Sequence, residues 1–259
     1  MGCYVNALSV VLMVYSLLAL CLDAAAGSGA STWQGVLDTH RSVGAHMDYA
    51  AIKKADATAQ TMAWLVGAEP PEGQATRMAF WINAYNALTV DLVADNWPLK
   101  SIRDLDEGQV WKTRRFTVAG KTLTLDQIEH EILVPLGDPR VHFALNCAAL
   151  SCPPLAARAF SGASLGNELD AATRGWIRGE GVRVDQPSKT LHLSKIFDWY
   201  AADFAETAGA EIPGVDARLQ GVVRFVATQL EGPEARWVRA GGYTVTFMAY
   251  DWAVNATAN

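Results

Sequence analysis

The stretch TRMAFWINAYNALTVDLVADN, Thr76 to Asn96, is apolar on nearly every side of a helix. A helix with one greasy stripe lies on a surface, but one that is greasy all round must be enclosed by the rest of the chain. The fold therefore has to be built around this segment. Trp97-Pro98 ends it, because the residue before a proline is pushed out of helical geometry. Upstream, Pro70-Pro71 breaks the chain, and the stretch from Trp33 to Glu69 reads as two helical stretches.

Downstream the periodicity changes. RRFTVAGKTLTL alternates Phe116, Val118, Leu123 and Leu125 around Ala119-Gly120, the pattern of a hairpin. Thr124 and Gln127 form a capping box that opens the helix LDQIEHEIL. RVHFALNC, Arg140 to Cys147, reads as a buried strand. Ser164 is placed to cap SLGNELDAATRGWIRG, VRVDQPSKTLHL reads as a second hairpin, and Ser194 is placed to cap KIFDWYAADFAE. VDARLQGVVRFVATQL carries Val215, Leu219, Val222, Val226 and Leu230 on one stripe, the mark of an amphipathic helix, and YTVTFMAYDW closes as a strand. Helices come first and strands arrive mostly as hairpins. That order predicts an α+β fold, with N-terminal helices packed on a mixed or antiparallel sheet.

With 259 residues, 51% of them hydrophobic, the chain can bury one large core, and no repeat or linker divides it. A single domain over residues 27–259 is expected. Net charge is -6 and no stretch concentrates Lys and Arg, so nucleic acid is excluded as a partner. Residues 1–26 read as a secretory signal: an uncharged apolar run, Ala7 to Leu22, precedes Ala24-Ala25-Ala26. No Lys or Arg precedes the run, and an uncleaved membrane anchor is the rival reading. Export to a periplasmic or extracellular space is the expectation. Cleavage would remove Cys3 and Cys21 and leave Cys147 and Cys152 in the mature chain. That pair forms either a disulfide or two free thiols.

Polar residues on apolar faces mark the candidate site. On the helix from Leu125, Glu129 shares a face with Leu125, Ile132 and Leu133. A carboxylate there costs several kcal/mol unless it is paired, so Glu129 must have a partner. On the long helix, Asn83 lies on the stripe of Ala79, Phe80, Ala87 and Val90, with Asn86 one turn along. Two asparagines on a greasy helix imply an internal hydrogen-bond network. If 140–147 is a strand, His142, Ala144 and Asn146 share one face while Cys147 lies on the other. A turn after Asn146 would be needed to bring Cys147 to His142.

The blocks AFWINAYNALTVDLV, LTLDQIEHEIL, DPRVHFALNCAALSCPP, KIFDWYAADF and YDWAVN together resemble the domain of unknown function 547 family, from about Arg77 to Asn255. The resemblance implies no established activity. Its characteristic residues map onto Trp81, Asn83, Asn86, Glu129, His130, His142, Cys147, Ser151, Cys152 and Pro153.

Two functional readings follow. In the first, the polar cluster around Glu129, His142 and Cys147 belongs to a module that binds an unidentified ligand or protein partner. In the second, Cys147 is the nucleophile of a hydrolase or acyltransferase acting on peptide or cell-envelope amides. His142 would then be its base, Glu129 or Asn146 the orienter, and Asn83 or backbone amides the oxyanion donors. A zinc site from Glu129, His130, His142, Cys147 and Cys152 lacks both C-x-x-C and H-x-x-x-H spacing. No metal or cofactor is expected. His40, His46 and His192 read as surface residues; Asp198, Trp199, Tyr200 and Asp203 either flank a groove or form a solvated helix face, and the solvated face is the preferred reading.

Overall fold

The computed structural model describes residues 29–257. The signal expected over residues 1–26, with Cys3 and Cys21, lies outside that range. At the centre is helix α4, Gln74–Asp95, buried almost without interruption from Met78 to Ala94. Ile82, Ala84, Thr89 and Val93 have no exposed surface. Among the described residues three helices precede it, where the sequence suggested two: α1 over 29–40, α2 Tyr49–Ala55 and α3 Ala59–Gly67. The break between α2 and α3 is made by Asp56, which takes left-handed backbone (φ 48°) and caps α2. At the other end of α2, the Asp48 side chain accepts from the Ala51 N–H.

After α4 come the short helix α5, Val110–Thr113, and an antiparallel hairpin of β1, Phe116–Val118, with β2, Lys121–Leu123. The hairpin turns at Ala119-Gly120 as read from the sequence, both with positive φ. Its Ala119 N–H reaches the Leu65 carbonyl at the end of α3. Helix α6, Leu125–Gln127, opens with the Thr124–Gln127 capping box and widens into a π-helical turn, Ile128–Leu133. Val118, Leu125, Ile128 and Leu133 are fully enclosed against α4, completing a first core.

The expected strand at 140–147 is not formed. Pro139–Phe143 is a turn of 3-10 helix. Pro139 presets the helical φ at its start, and the Asp138 carboxylate accepts from the Arg140 N–H. Asn86 on α4 then occupies the next backbone groups, donating to the Ala144 carbonyl at 2.9 Å and accepting from the Asn146 N–H at 2.9 Å. Those are the groups a strand would have offered to a neighbour, so no ladder is needed to satisfy them.

The second half builds its own core. Helix α7, Leu165–Trp176, runs through a π turn, Ile177–Gly181, into β3, Val182–Asp185. Ser164 stands at the N-terminus of α7, but its hydroxyl donates to Glu168 at 2.7 Å instead of capping a backbone N–H. β3 pairs antiparallel with β4, Thr190–Leu193, with Val182 opposite Leu193. β4 pairs parallel with β5, Thr244–Phe247, with Leu191 opposite Val245. The parallel pairing requires a long crossover, supplied by α8, Lys195–Trp199, a 3-10 turn, Ala201–Phe204, α9, Gln220–Gln229, and α10, Gly232–Ala240. Ser194 caps α8 as expected, accepting from the Ile196 N–H. Phe143, Trp176, Phe197, Phe204 and Phe225 pack as an aromatic core, with ring centroids as close as 4.9 Å.

The fold is therefore α+β, with one antiparallel and one mixed sheet, both small. The N-terminal helices pack chiefly on α4, and the larger sheet serves the second core. Among the described residues, no helix is long and apolar enough to cross a membrane.

Candidate functional site

The two cores meet at the 3-10 turn. Val141 belongs to the first and Phe143 to the second, and His142 between them faces a cavity of about 490 Å³. Around that cavity stand Glu129, Cys147 and Cys152, with the aromatic residues Tyr85, Trp111, Trp199, Tyr200, Tyr250 and Trp252.

His142 is 3% exposed, and both of its ring nitrogens face carboxylates. Nε2 lies 2.7 Å from Asp203 Oδ2, a short charge-assisted hydrogen bond. Nδ1 lies 3.7 Å from Glu129 Oε1, too far for a hydrogen bond but close enough for a buried ion pair. Burial pushes the imidazole towards its neutral form. The Asp203 hydrogen bond and the Glu129 charge outweigh it and raise its pKa above the ordinary histidine value. Asp203 is held below the usual carboxylate range, mainly by its bond to His142. Tyr200 stacks on the imidazole with ring centroids 3.9 Å apart, which fixes the ring plane.

Glu129 is delivered by the π turn. Such a turn has one more residue per loop than an α-helix and is frequent at functional sites. Burial raises the Glu129 carboxyl pKa, but the imidazolium of His142 and the Tyr200 hydroxyl reverse this and hold it below its ordinary value. The Tyr85 hydroxyl faces the same carboxylate, and burial together with that negative charge drives the Tyr85 pKa far upward. Glu129 thus has the partner its position on an apolar face demanded. His130, the next residue, turns away: its Nδ1 lies 3.0 Å from the Asp126 carbonyl, at the cavity's edge.

Cys147 and Cys152 are joined as a disulfide on the cavity wall. The Cys147 N–H donates to Cys152 Sγ at 2.9 Å, and the Tyr250 hydroxyl lies 3.2 Å from Cys147 Sγ. The loop around them is organised by Asn146. Its Oδ1 accepts from the Ala148 N–H at 2.9 Å and its Nδ2 donates to the Pro153 carbonyl at 2.8 Å. Asn255 donates to Asn146 Oδ1 at 3.2 Å and accepts from the Tyr49 hydroxyl at 2.6 Å, which ties the C-terminal segment and α2 to the same loop. Ala148 takes left-handed backbone (φ 62°) and its N–H turns back to Asn146 Oδ1, so the chain reverses here, and Cys147 lines the same cavity as His142.

Of the four residues singled out as catalytic, Glu129 and His142 are paired and Cys147 shares their cavity. Asn83 is elsewhere. Its amide donates to the Phe160 carbonyl at 2.8 Å and accepts from the Phe160 N–H at 2.9 Å, clamping both backbone groups of one residue in the segment before α7. Asp203 and Tyr200 belong to the site, which favours the groove reading over the solvated helix face preferred from the sequence. The helix stops at Trp199 and tightens into the 3-10 turn, which rotates both side chains inward. The aromatic rim of Trp111, Tyr250 and Trp252 carried no chemical signature of its own, since a scattered Trp or Tyr reads as core. Trp252 is the hub, with Trp111, Trp199 and Tyr250 at centroid distances of 5.9, 5.7 and 4.5 Å and the Arg103 guanidinium 5.0 Å above it. Among the described residues no group of three or more His, Cys, Asp or Glu side chains is arranged to hold a metal ion.

Comparison with curated proteins and with solved structures finds no significant match. Family models do find one, over residues 72–177, a shorter span than the resemblance from Arg77 to Asn255. It covers α4, the Glu129 turn, the His142 turn and the disulfide loop, and leaves Tyr200, Asp203, Tyr250 and Trp252 outside. Over this region the chain is similar to the family described as "Protein of unknown function, DUF547".

Proposed function

We propose that the cavity binds a small molecule that joins a ring to an N–H or O–H donor. The observation that carries this reading is the division of the cavity into aromatic walls and an ionised floor. Trp199, Tyr250 and Trp252 offer ring faces for stacking, and Trp199 is 48% exposed at the mouth. At the floor Glu129 is held charged, and a carboxylate with two oxygens can accept a further donor beyond its protein partners. An apolar pocket with a few convergent polar groups is the usual form of a small-molecule site.

Ligand-observed NMR with a panel of phenols, anilines and pyranosides tests the reading. Binders should lose their signal transfer in Trp199→Ala and in Glu129→Gln, with both variants shown folded by circular dichroism. Absence of any binder in the panel, or binding that ignores both substitutions, would refute it.

The cysteine-dependent hydrolase or acyltransferase is the second reading, favoured by the presence of Cys147, His142 and Glu129 on one cavity. It ranks lower because the Cys147 sulfur is bonded to Cys152 and both ring nitrogens of His142 face carboxylates, Asp203 at 2.7 Å and Glu129 at 3.7 Å. An imidazolium held between two carboxylates is also a poor base. Labelling of reduced protein at Cys147 by a peptide vinyl sulfone, lost in His142→Ala, would reverse the ranking. We also propose that the protein works outside the cytoplasm. The apolar run Ala7 to Leu22 and the Cys147–Cys152 bridge support this, since disulfides persist in oxidising compartments.

A further inference from the structure

The Cys147–Cys152 bridge has little architectural work to do. It links residues five apart in sequence, where a crosslink removes little freedom from the unfolded chain. The same loop is already closed without it. Asn146 spans from the Ala148 N–H to the Pro153 carbonyl, Ser151 Oγ accepts from the Asp251 N–H at 2.8 Å, and the Asn255 N–H reaches the Ala148 carbonyl at 3.0 Å. Breaking the S–S bond would leave both cysteines on a loop that these hydrogen bonds still close.

The two sulfurs are also provided for as separate thiolates. The Cys147 N–H is 2.9 Å from Cys152 Sγ, and the Tyr250 hydroxyl is 3.2 Å from Cys147 Sγ. Their access differs. Both line the aromatic cavity, but Cys152 is 7% exposed whereas Cys147 is only half-buried. Exchange requires an accessible sulfur to be attacked and a stabilised sulfur to leave, and the bridge offers one of each.

We propose that Cys147–Cys152 is a redox-active disulfide that exchanges with small thiols entering the cavity. The incoming thiolate attacks Cys147 Sγ. The bond to Cys152 breaks and Cys152 leaves as a thiolate held by the Cys147 N–H, giving a mixed disulfide on Cys147. A second thiolate then attacks the outer sulfur of that mixed disulfide. It releases the small-molecule disulfide and leaves Cys147 as a thiolate facing the Tyr250 hydroxyl. Two thiols are oxidised as one protein disulfide is reduced, and the small-molecule disulfide drives the reverse reaction. This inference does not rest on the ligand reading above, because it concerns the sulfurs and not the His142 floor.

The test uses the full chain purified without reductant and 2-mercaptoethanol as the thiol. Reactions are quenched in acid, alkylated with iodoacetamide and mapped by tandem mass spectrometry. The expected result is native-state reduction without denaturant, with the adduct on Cys147 and the alkyl label on Cys152. Tyr250→Phe should slow the second step about tenfold, the effect of one hydrogen bond to a charged group, so that the mixed disulfide accumulates. Circular dichroism of the reduced protein should match that of the oxidised one. Four results would overturn the proposal: reduction only in denaturant, an adduct on Cys152, loss of fold on reduction, or two free thiols that no small-molecule disulfide oxidises. If Tyr250→Phe does not fold, Cys147→Ser and Cys152→Ser still decide which sulfur takes the adduct. Only the variant keeping Cys147 should form the mixed disulfide rapidly with 2-hydroxyethyl disulfide, and equal rates would refute the assignment.

Discussion

Replacing Glu129 by Gln keeps the shape of the side chain and removes its charge. Glu129 is 7% exposed and its Oε1 lies 3.7 Å from His142 Nδ1, so the pair is well shielded from water. Two unit charges ~4 Å apart in an effective dielectric of ~20 attract by about 4 kcal/mol, and removing one member of a buried pair costs ~3–5 kcal/mol. Asp203 stays to hold the imidazolium, so the lower end applies, and a loss of about 3 kcal/mol is expected. The loss must also depend on pH. The folded-state pKa of Glu129 is depressed, so its contribution is present above the unfolded value and disappears as pH falls through the folded one. The folded-state pKa of His142 is raised, so its contribution is complete below the unfolded value and disappears as pH rises through the folded one. The difference between wild type and variant should therefore be greatest between roughly pH 4.3 and 6.5, the unfolded values of Glu and His. Urea unfolding across pH measures the difference, and histidine NMR should show the His142 midpoint falling in the variant. A loss under 1 kcal/mol, together with an unmoved His142 titration, would show that the two groups are not paired as argued.

Asn86→Ala should cost ~2–5 kcal/mol by urea unfolding, because it strands a buried carbonyl and a buried N–H at ~1–3 kcal/mol each, against ~0.5 kcal/mol of helix propensity gained. A loss no larger than that of an exposed substitution would refute the clamp. Gly221→Ala on α9 should lower the melting temperature, since a Cβ there collides with the Phe204 carbonyl, while Gly175→Ala on α7, where a Cβ meets nothing, should raise it. Overpacking costs ~1–3 kcal/mol and replacing a helical Gly by Ala gains up to about 1 kcal/mol. Equal shifts in calorimetry would contradict that contrast.

The elements set by local chemistry were legible in the sequence. Helix α4, the Thr124–Gln127 box, the turn at Ala119-Gly120 and the Ser194 cap each depend on a few adjacent residues, and each formed. The segment 140–147 misled because its apolar run satisfies a strand by alternation, whereas its hydrogen bonding is settled by Asn86, some 60 residues away in the chain. Glu129 was legible as a residue needing a partner, but Asp203 was not. Nothing local distinguishes an aspartate on a solvated helix from one rotated inward by a tightened turn. The role of Asn83 was obscured for the same reason, since an amide on a greasy face signals a partner without saying whether it is a ligand or a peptide unit.

Val141, His142 and Phe143 are consecutive side chains anchored in the first core, the cavity floor and the second core. One turn of 3-10 helix thus acts as a common fastening for both halves of the molecule. Neither half can melt without pulling His142 out from between its carboxylates, so the domain should lose its structure in one step. The amides of this turn should exchange with solvent only through opening of the entire domain. Whatever tightens the cavity then strengthens regions it never touches, and damage in the distant aromatic core loosens the floor.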